Sequence, residues 1–406
     1  MGTTSTGENS DTLRVGLIGC GGRGTGAAGQ ALNADKDVVL TAMGDVFPDR
    51  IQSSLAALHK EGAEKGFTDR LQVTPEKRFV GLESFQQVID SGVDVVLLTT
   101  PPCFRPVHLK AAVGAGKHIF TEKPMATDAP GVRSLLESVK VAKEKKLALV
   151  AGFCWRYEGG RREFYKRIQE GAIGEIRAIH ATFYWGSLMM RPAGERPKDT
   201  SDLAWQLRHW YNYAWLSGDG YVEQTCHSVD KVAWALKEAS PIRAVAVGGR
   251  QTPNYGGNIY DHMFVVYDFG NDVRAFVGQR HINNCFTNNS DYLTGSEGMG
   301  IIPGWNDPFI RGKQAWRYRG PKTNMYQVEH DELFASIRSG KPINDGEWMV
   351  HSTMMAIMGR MAAYTGQEVT WEEACNSQEK LVPDKLEWNM KLPVTPMAVP
   401  GTTKLV

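Results

Sequence analysis

The sequence lacks three features, and each absence excludes a class of protein. None of its apolar runs approaches the ~20 residues that cross a bilayer, so we expect no membrane association. Neither sign of charge is in excess, since 46 Lys and Arg balance 45 Asp and Glu, which argues against a nucleic-acid partner. The six cysteines show no C-x-x-C spacing, so we expect no metal and predict buried apolar roles for most of them. A small-molecule ligand is the remaining expectation.

The first twelve residues, MGTTSTGENSDT, are small and polar. They contain no apolar h-region of a signal peptide and predict a disordered tail. The chain as it stands therefore predicts a cytoplasmic protein. An export signal removed before this point would instead place the protein in the periplasm.

The length of 406 residues predicts two domains. From Leu13 onward, continuous apolar segments such as LRVGLIG and DVVLLTTPP alternate with amphipathic helical segments. This alternation is typical of a parallel sheet covered by helices on both faces. We predict an α/β fold in which residues 13–150 form a doubly wound Rossmann domain.

Beyond residue 150 the pattern changes to apolar and polar residues in alternation, as in EIRAIHATFYWG, HMFVVYDFG and VRAFVGQRHI. Such segments predict antiparallel strands with one side free for solvent or a partner. Residues 151–385 therefore predict an α+β domain with a mostly antiparallel sheet. Residues 386–406 are rich in proline and predict an extended tail.

A glycine motif follows the first predicted strand. Gly19, Gly21 and Gly24 have the G-x-G-x-x-G spacing, and the next residues predict a helix. In this context the glycines allow a tight turn, a close approach to a pyrophosphate and close helix packing. The helix N-terminus then faces the phosphates.

Asp45 ends the second predicted strand, where a carboxylate accepts the ribose hydroxyls of adenosine and repels a 2'-phosphate. NAD is therefore favoured over NADP. Arg23 and Arg50 leave NADP open, because either could bind that phosphate. The predicted cofactor-binding residues are Gly19, Gly21, Gly22, Arg23, Gly24, Asp45, Arg50, Thr100, Pro101, His108, Glu122 and Lys123.

Two further segments predict the reaction centre. Lys123 stands before a proline at the end of a strand, so its backbone is held at the cofactor edge. Glu223, His227 and Asp230 are spaced i, i+4, i+7 on a predicted helix and share one face; an ordinary solvated face is the alternative. Oxidation of an alcohol needs a base for the hydroxyl proton, which suits histidine, and a lysine can stabilise the alkoxide.

The segments VGLIGCGGRG, AAVGAGKHIFTEKPMA, YKRIQEGAIGEI and FASIRSGKPI resemble the Gfo/Idh/MocA family of sugar and inositol dehydrogenases. The resemblance implies that residues 151–385 form the domain for substrate binding and oligomerisation. It also implies catalytic roles for Lys123 and His227. Glu223 stands where many members have aspartate, so we predict that it orients His227 or contacts the sugar. The predicted substrate-binding residues are Lys123, Arg156, Tyr157, Arg208, His209, Trp210, Tyr213, Glu223 and His227.

We predict an NAD-dependent oxidoreductase acting on a ring hydroxyl of a sugar, glycoside or cyclitol. A glycoside-cleaving enzyme that uses NAD for transient oxidation, elimination and re-reduction is the alternative. A non-catalytic sensor of sugar or NAD is a third possibility, which the presence of both Lys123 and His227 disfavours. The open side of the alternating sheet predicts a homodimer or homotetramer.

Overall fold

The computed structural model describes residues 11–187, 194–252 and 256–406. Within these ranges, the first half of the chain contains a six-stranded parallel sheet with the order β3-β2-β1-β4-β5-β6. This order is that of a dinucleotide-binding domain, so the predicted doubly wound sheet is confirmed. The strands are β1 (Leu13–Ile18), β2 (Val38–Asp45), β3 (Arg78–Val80), β4 (Val95–Leu98), β5 (His118–Thr121) and β6 (Leu149–Ala151).

Helices cover both faces of this sheet, which explains why its central strands read as continuous apolar runs. All residues of β4 are buried, for example. Helix α5 begins where the Asp128 side chain accepts a hydrogen bond from the Gly131 amide, an N-cap followed by a proline in the first turn. The helices are α1 (Gly22–Ala34), α2 (Pro48–Lys65), α3 (Ser84–Asp90), α4 (Arg105–Gly114) and α5 (Ala129–Glu144).

The second half of the chain forms a mixed sheet that is mostly antiparallel, as predicted. Of the residues that the structure describes, nine strands join it in the order β14-β13-β12-β11-β7-β10-β9-β8-β15. Strands β7 and β10 pair in parallel, and the other neighbours pair antiparallel. The strands are β7 (Ile176–Trp185), β8 (Arg243–Gly249), β9 (His262–Asp268), β10 (Arg274–His281), β11 (Asp291–Gly295), β12 (Gly298–Ile302), β13 (Phe309–Gly312), β14 (Trp316–Arg317) and β15 (Val369–Thr370).

One face of the second sheet packs against α9 and α11, and α11 also contacts α5 of the first half. Helix α11 is buried nearly all round, so it joins the two halves through a shared apolar core. The helices are α6 (Gly159–Gln169), α7 (Asp202–Arg208), α8 (Ala214–Ser217), α9 (Cys226–Ala235), α10 (Met325–Arg338), α11 (Gly346–Thr365) and α12 (Trp371–Asn376).

Helix α10 packs on α1 of the dinucleotide-binding sheet, although it lies late in the chain. Its Leu333 and Phe334 are buried in the same apolar cluster as Val15 and Leu17 of β1. The amphipathic pattern of this segment predicted a helix but gave no sign of its partner. Chain order alone therefore did not show which sheet this helix covers.

The C-terminal tail lies over the body of the protein. The Leu392 amide donates to the Asp202 carboxylate, and Gln206 donates to the Leu392 carbonyl. The Trp388 ring lies 6.2 Å from the ring of Phe47, which follows β2. The tail thus connects α7 with the loop after β2.

None of the helices in the described part of the chain is long and apolar enough to cross a membrane. Four cysteines are buried, Cys375 is partly buried, and Cys285 is exposed. In the same ranges, no group of three or more His, Cys, Asp or Glu side chains is arranged to hold a metal ion.

Candidate active site

A cavity of about 490 Å³ lies at the carboxyl ends of the parallel strands, where it is closed by α7, α9 and the segment between them. This is the position in which a doubly wound sheet binds its ligand. All the predicted cofactor-binding residues line it, and so do Trp210, Glu223 and His227 of the predicted substrate-binding set. Residues from both halves of the chain therefore line one cavity.

The glycine turn has the geometry that a pyrophosphate requires. Gly19 has a φ of +97°, and a Cβ there would lie 2.8 Å from the Thr100 amide nitrogen. A Cβ on Gly24 would lie 2.0 Å from the Gly19 carbonyl oxygen, so this glycine permits close packing of α1 on the turn. At Gly21 and Gly22 a Cβ would meet open space at the start of α1, which leaves the helix N-terminus accessible to phosphates.

Asp45 is fixed at the cavity wall by backbone amides. Its Oδ2 accepts from the Cys20 amide at 2.7 Å, and its Oδ1 accepts from the Phe47 amide at 2.9 Å. Burial raises the pKa of this carboxyl, and the two amides and Arg50 partly oppose the rise. Each carboxylate oxygen keeps acceptor capacity for a ribose hydroxyl.

Arg23 is engaged by carboxylates rather than free to bind a phosphate. Its guanidinium donates to Glu122, next to Lys123, and to Glu329 of α10 at 3.0 Å. Burial lowers the pKa of Arg23, but Glu122 and Glu329 outweigh this effect, and the net shift is upward. This pairing weakens one of the two arguments for NADP.

His108 lies between the rings of Phe85 and Phe104, with centroids 4.2 and 5.6 Å away. Its Nδ1 is 3.3 Å from the Thr100 hydroxyl. Burial, together with the charge of Arg105, lowers the pKa of His108 to about 3. The ring is therefore neutral and lines the cavity as a polar but uncharged group.

Lys123 follows β5 and precedes a cis peptide bond to Pro124. Its Nζ donates to the Glu223 carbonyl at 2.5 Å and to the Glu223 carboxylate at 3.1 Å. Burial lowers the pKa of Lys123, but Glu223, Cys226 and Glu122 raise it, and the net shift is upward. The group is an ammonium at neutral pH, so it acts as a hydrogen-bond donor rather than a base.

His227 lies in the first turn of α9, which follows a π-helical turn at Tyr221–Thr225. Turns of this kind are frequent at functional sites. The imidazole is 8% exposed and packs edge-on against Phe153. Burial, then the charges of Lys123 and Lys231, lowers the pKa of His227 well below 6.5. It is therefore a neutral imidazole that can accept a proton.

Two members of the predicted helix face have partners other than those expected. The Glu223 carboxylate is directed to Lys123, not to the imidazole of His227. Asp230 accepts from Arg156 at 2.8 Å and from the Ser352 hydroxyl at 2.8 Å. The wider π-helical turn removes Glu223 from the regular spacing, which His227 and Asp230 keep within α9.

Five predicted substrate-binding residues do not line the cavity. Arg156 is paired with Asp230 and Glu238, and its guanidinium lies 4.1 Å from the Trp348 ring centroid. Tyr157 donates to Asp345, and Arg208 pairs with Asp49. The Nδ1 of His209 is 3.0 Å from the Trp205 carbonyl. Tyr213 is buried with Leu203 and Leu216.

Arg208 lies at the adenosine side of the cavity. Both of its terminal nitrogens donate to the Asp49 carboxylate, at 2.7 and 2.6 Å, and its guanidinium covers the Phe47 ring at 3.6 Å. Phe47 lines the cavity next to Asp45. Arg208 thus connects α7 to the loop after β2, away from Lys123.

Several lining residues were not predicted from the sequence. Phe47, Phe104, Arg105, Cys154 and Tyr326 all contribute to the cavity wall. Arg105 offered a signal, since a charged residue stands in CFRPVH directly after a strand end. Tyr326 offered none, because α10 reaches the site only through tertiary packing.

Comparison with known proteins identifies the family. Residues 13–153 match an oxidoreductase family with an NAD-binding Rossmann fold, and residues 162–299 match the GFO/IDH/MocA C-terminal domain. The chain belongs to the GFO/IDH/MocA oxidoreductase family. The resemblance seen in the sequence is thereby confirmed, and NAD is the cofactor of this family fold.

Relatives in this family share moderate identity with the chain. It is 32% identical over 297 residues to an inositol 2-dehydrogenase of Acidiphilium cryptum, covering 72% of this chain and 74% of that one. It is 29% identical over 188 residues to dTDP-3,4-didehydro-2,6-dideoxy-alpha-D-glucose 3-reductase of Actinomadura kijaniata, a match spanning 46% of this chain and 49% of the reductase. The structure of levoglucosan dehydrogenase with NADH and levoglucosan has a TM-score of 0.68, 18% identity and coverage of 88% and 99%.

The residues present fit NAD. The open space at Gly21 and Gly22 lies at the start of α1, and Asp45 presents a fixed carboxylate where the adenosine ribose of a dinucleotide lies. A negatively charged 2'-phosphate at that position would be repelled. The site therefore has the selectivity expected of an NAD enzyme.

We expect Asp45→Ala to weaken NAD binding on the order of ten- to hundredfold, because hydrogen bonds to a charged group are lost. Calorimetric titration with NAD and NADP measures this change. Asp268→Asn, on β9 and paired with Arg243, is the control and should bind NAD as the wild type does. Tighter binding of NADP than of NAD by the wild type would contradict the assignment.

Proposed function

We propose that this protein is an NAD-dependent dehydrogenase that oxidises a ring hydroxyl of a sugar, glycoside or cyclitol. The observation that carries the proposal is one cavity lined by a buried ammonium, Lys123, and a buried neutral imidazole, His227, together with the glycine turn and Asp45. A hydrogen-bond donor that stays charged and a proton acceptor at one site are typical of acid and base catalysis.

Each group has a role in this proposal. His227 accepts the hydroxyl proton on a ring nitrogen. Lys123 donates a hydrogen bond to the substrate oxygen and stabilises its developing negative charge. NAD, when bound, would supply the hydride acceptor that oxidation of the alcohol to a carbonyl requires. Glu223 keeps Lys123 charged and aimed at the cavity.

Dehydrogenation is favoured over glycoside cleavage. The inositol relative is named a dehydrogenase and the deoxysugar relative a reductase, and both names describe net redox chemistry on a sugar or cyclitol. The cavity lining also includes the aromatic residues Trp210 and Tyr326 and the amide residue Gln224, which are residue types that suit such a ligand.

A substrate panel tests the proposal. Purified protein with NAD is mixed with cyclitols, aldoses and glycosides, and absorbance in the reduced-nicotinamide band is followed. We expect stoichiometric NADH formation with at least one polyol of this panel. Release of an aglycone without net NADH would instead show the glycosidase reaction, and no reaction with any member would contradict the proposed function.

For the reaction centre, we expect His227→Ala and Lys123→Ala each to lose ~10²–10⁴ in turnover, the usual cost of losing a positioned acid or base. The double variant should be little worse, since the two residues act on one oxygen. Because the pKa of His227 is lowered, the acid limb of kcat/KM should lie below pH 6.5.

His59→Ala, at an exposed position of α2, is the control and should retain wild-type turnover. NAD affinity should survive in His227→Ala, which separates loss of chemistry from loss of fold. Near-wild-type turnover in His227→Ala would show that the proton goes elsewhere.

We propose further that the protein forms a homodimer or homotetramer through the second sheet. The face opposite α9 and α11 exposes apolar side chains of β8, with Val245 43% and Val247 69% exposed. The rings of Phe264 and Phe276 lie beside them, 6.5 Å apart. A second copy of the same face would bury these groups symmetrically.

Light scattering should therefore return at least twice the mass of one chain. Val247→Asp places a charge in the proposed interface and should shift the protein toward monomer. Val107→Asp is the control, because Val107 is also exposed but lies on α4. A monomer mass for the wild type at micromolar concentration would contradict the assembly.

A further inference from the structure

Arg105 is a buried cation whose hydrogen bonds are incomplete. It is the first residue of α4, it lines the cavity, and it is only 3% exposed. Its Nη1 donates to the Pro124 carbonyl at 2.9 Å. Its Nε finds no partner among the residues that the structure describes. A guanidinium has five N–H donors, so most of this one's donor capacity is unused.

The neighbouring carboxylates are engaged elsewhere. Burial lowers the pKa of Arg105 to about 10, and the charges of Glu122 and Glu223 oppose that shift. Glu122 accepts instead from Arg23, and Glu223 from Lys123. Arg105 therefore remains charged at neutral pH without a carboxylate bonded to it. Burying a charge in this way is costly unless it is hydrogen-bonded.

Arg105 lines the same part of the cavity as Lys123 and His227. Its one bonded nitrogen holds the carbonyl of the residue that follows Lys123. Burial raises the pKa of Cys226, which precedes His227 on α9, and the charge of Arg105 is among those that oppose this rise. The adenosine end of the cavity, at Asp45 and Phe47, belongs to other strand ends. A molecule that reaches Lys123 and His227 therefore also comes within range of Arg105.

We propose that Arg105 is a substrate-binding residue that donates its free N–H groups to two neighbouring oxygen atoms of the substrate. The planar guanidinium fork matches such a pair, which is either two vicinal hydroxyls or a carboxylate. The inference rests on the proposed function, because it needs a substrate at Lys123. In this role Arg105 helps to determine which ring carbon of the substrate lies next to His227.

The test compares Arg105→Met and Arg105→Lys with the wild type on substrates from the panel. Myo-inositol and D-glucose serve as neutral probes, and D-glucuronate serves as the carboxylate probe. We expect KM to rise on the order of ten- to hundredfold in Arg105→Met, with kcat changed less and NAD affinity unchanged. The KM of Arg105→Lys should lie between those of the wild type and Arg105→Met, because an ammonium keeps the charge but lacks the planar pair of donors.

Arg161→Lys is the matched control. Arg161 is 4% exposed, but it is bonded to Glu158 and to the Gly304 carbonyl and does not line the cavity. Its KM should equal that of the wild type. A rise in KM confined to D-glucuronate identifies the carboxylate as the ligand of Arg105. A rise in KM for the neutral probes identifies vicinal hydroxyls.

A purely structural role gives a different result. If Arg105 only holds the Pro124 carbonyl, then thermal stability, NAD affinity and kcat fall together in Arg105→Met while KM stays constant, and the inference is overturned. Should Arg105→Met fail to fold, the KM of Arg105→Lys decides in the same way. A wild type that oxidises no probe overturns the proposed function itself, whereas an unmoved KM with intact turnover overturns the role of Arg105 alone.

Discussion

The ion pair between Lys123 and Glu223 is the contact on which the site depends. It joins residues that are 100 positions apart, one at the edge of the parallel sheet and the other in a π-helical turn of the second half. A buried ammonium is stable only when an opposite charge compensates it. The pair therefore both keeps Lys123 charged and holds the two walls of the cavity at a fixed separation.

The other charges around the cavity fall into two groups. Arg23 and Asp45 are bonded to protein groups that fix their positions, and they shape the cofactor end of the site. His227 and Arg105 retain unpartnered nitrogens next to Lys123. Buried polar groups are normally bonded, so these unpartnered nitrogens are the observation on which the substrate roles proposed for His227 and Arg105 rest.

Local patterns predicted the dinucleotide-binding half well. The glycine turn, Asp45 and Lys123 each follow a strand end, and parallel strands carry their ends to one edge of a sheet. Predictions in the second half fared less evenly. Its strands were found where the alternation placed them, but Arg156, Arg208 and other polar residues proposed for the substrate have protein partners outside the cavity lining.

The sequence by itself determined the two sheets, the phosphate-binding turn and the identity of the charged residues near it, because these depend on periodicity and on short spacings along the chain. Only the tertiary structure decided that α10 covers the first sheet, that Glu223 faces Lys123, and that Arg105 bonds the backbone next to Lys123. Such pairings join residues from distant segments. They are set by which apolar faces pack and which charges must be compensated on burial, and no local pattern encodes that choice.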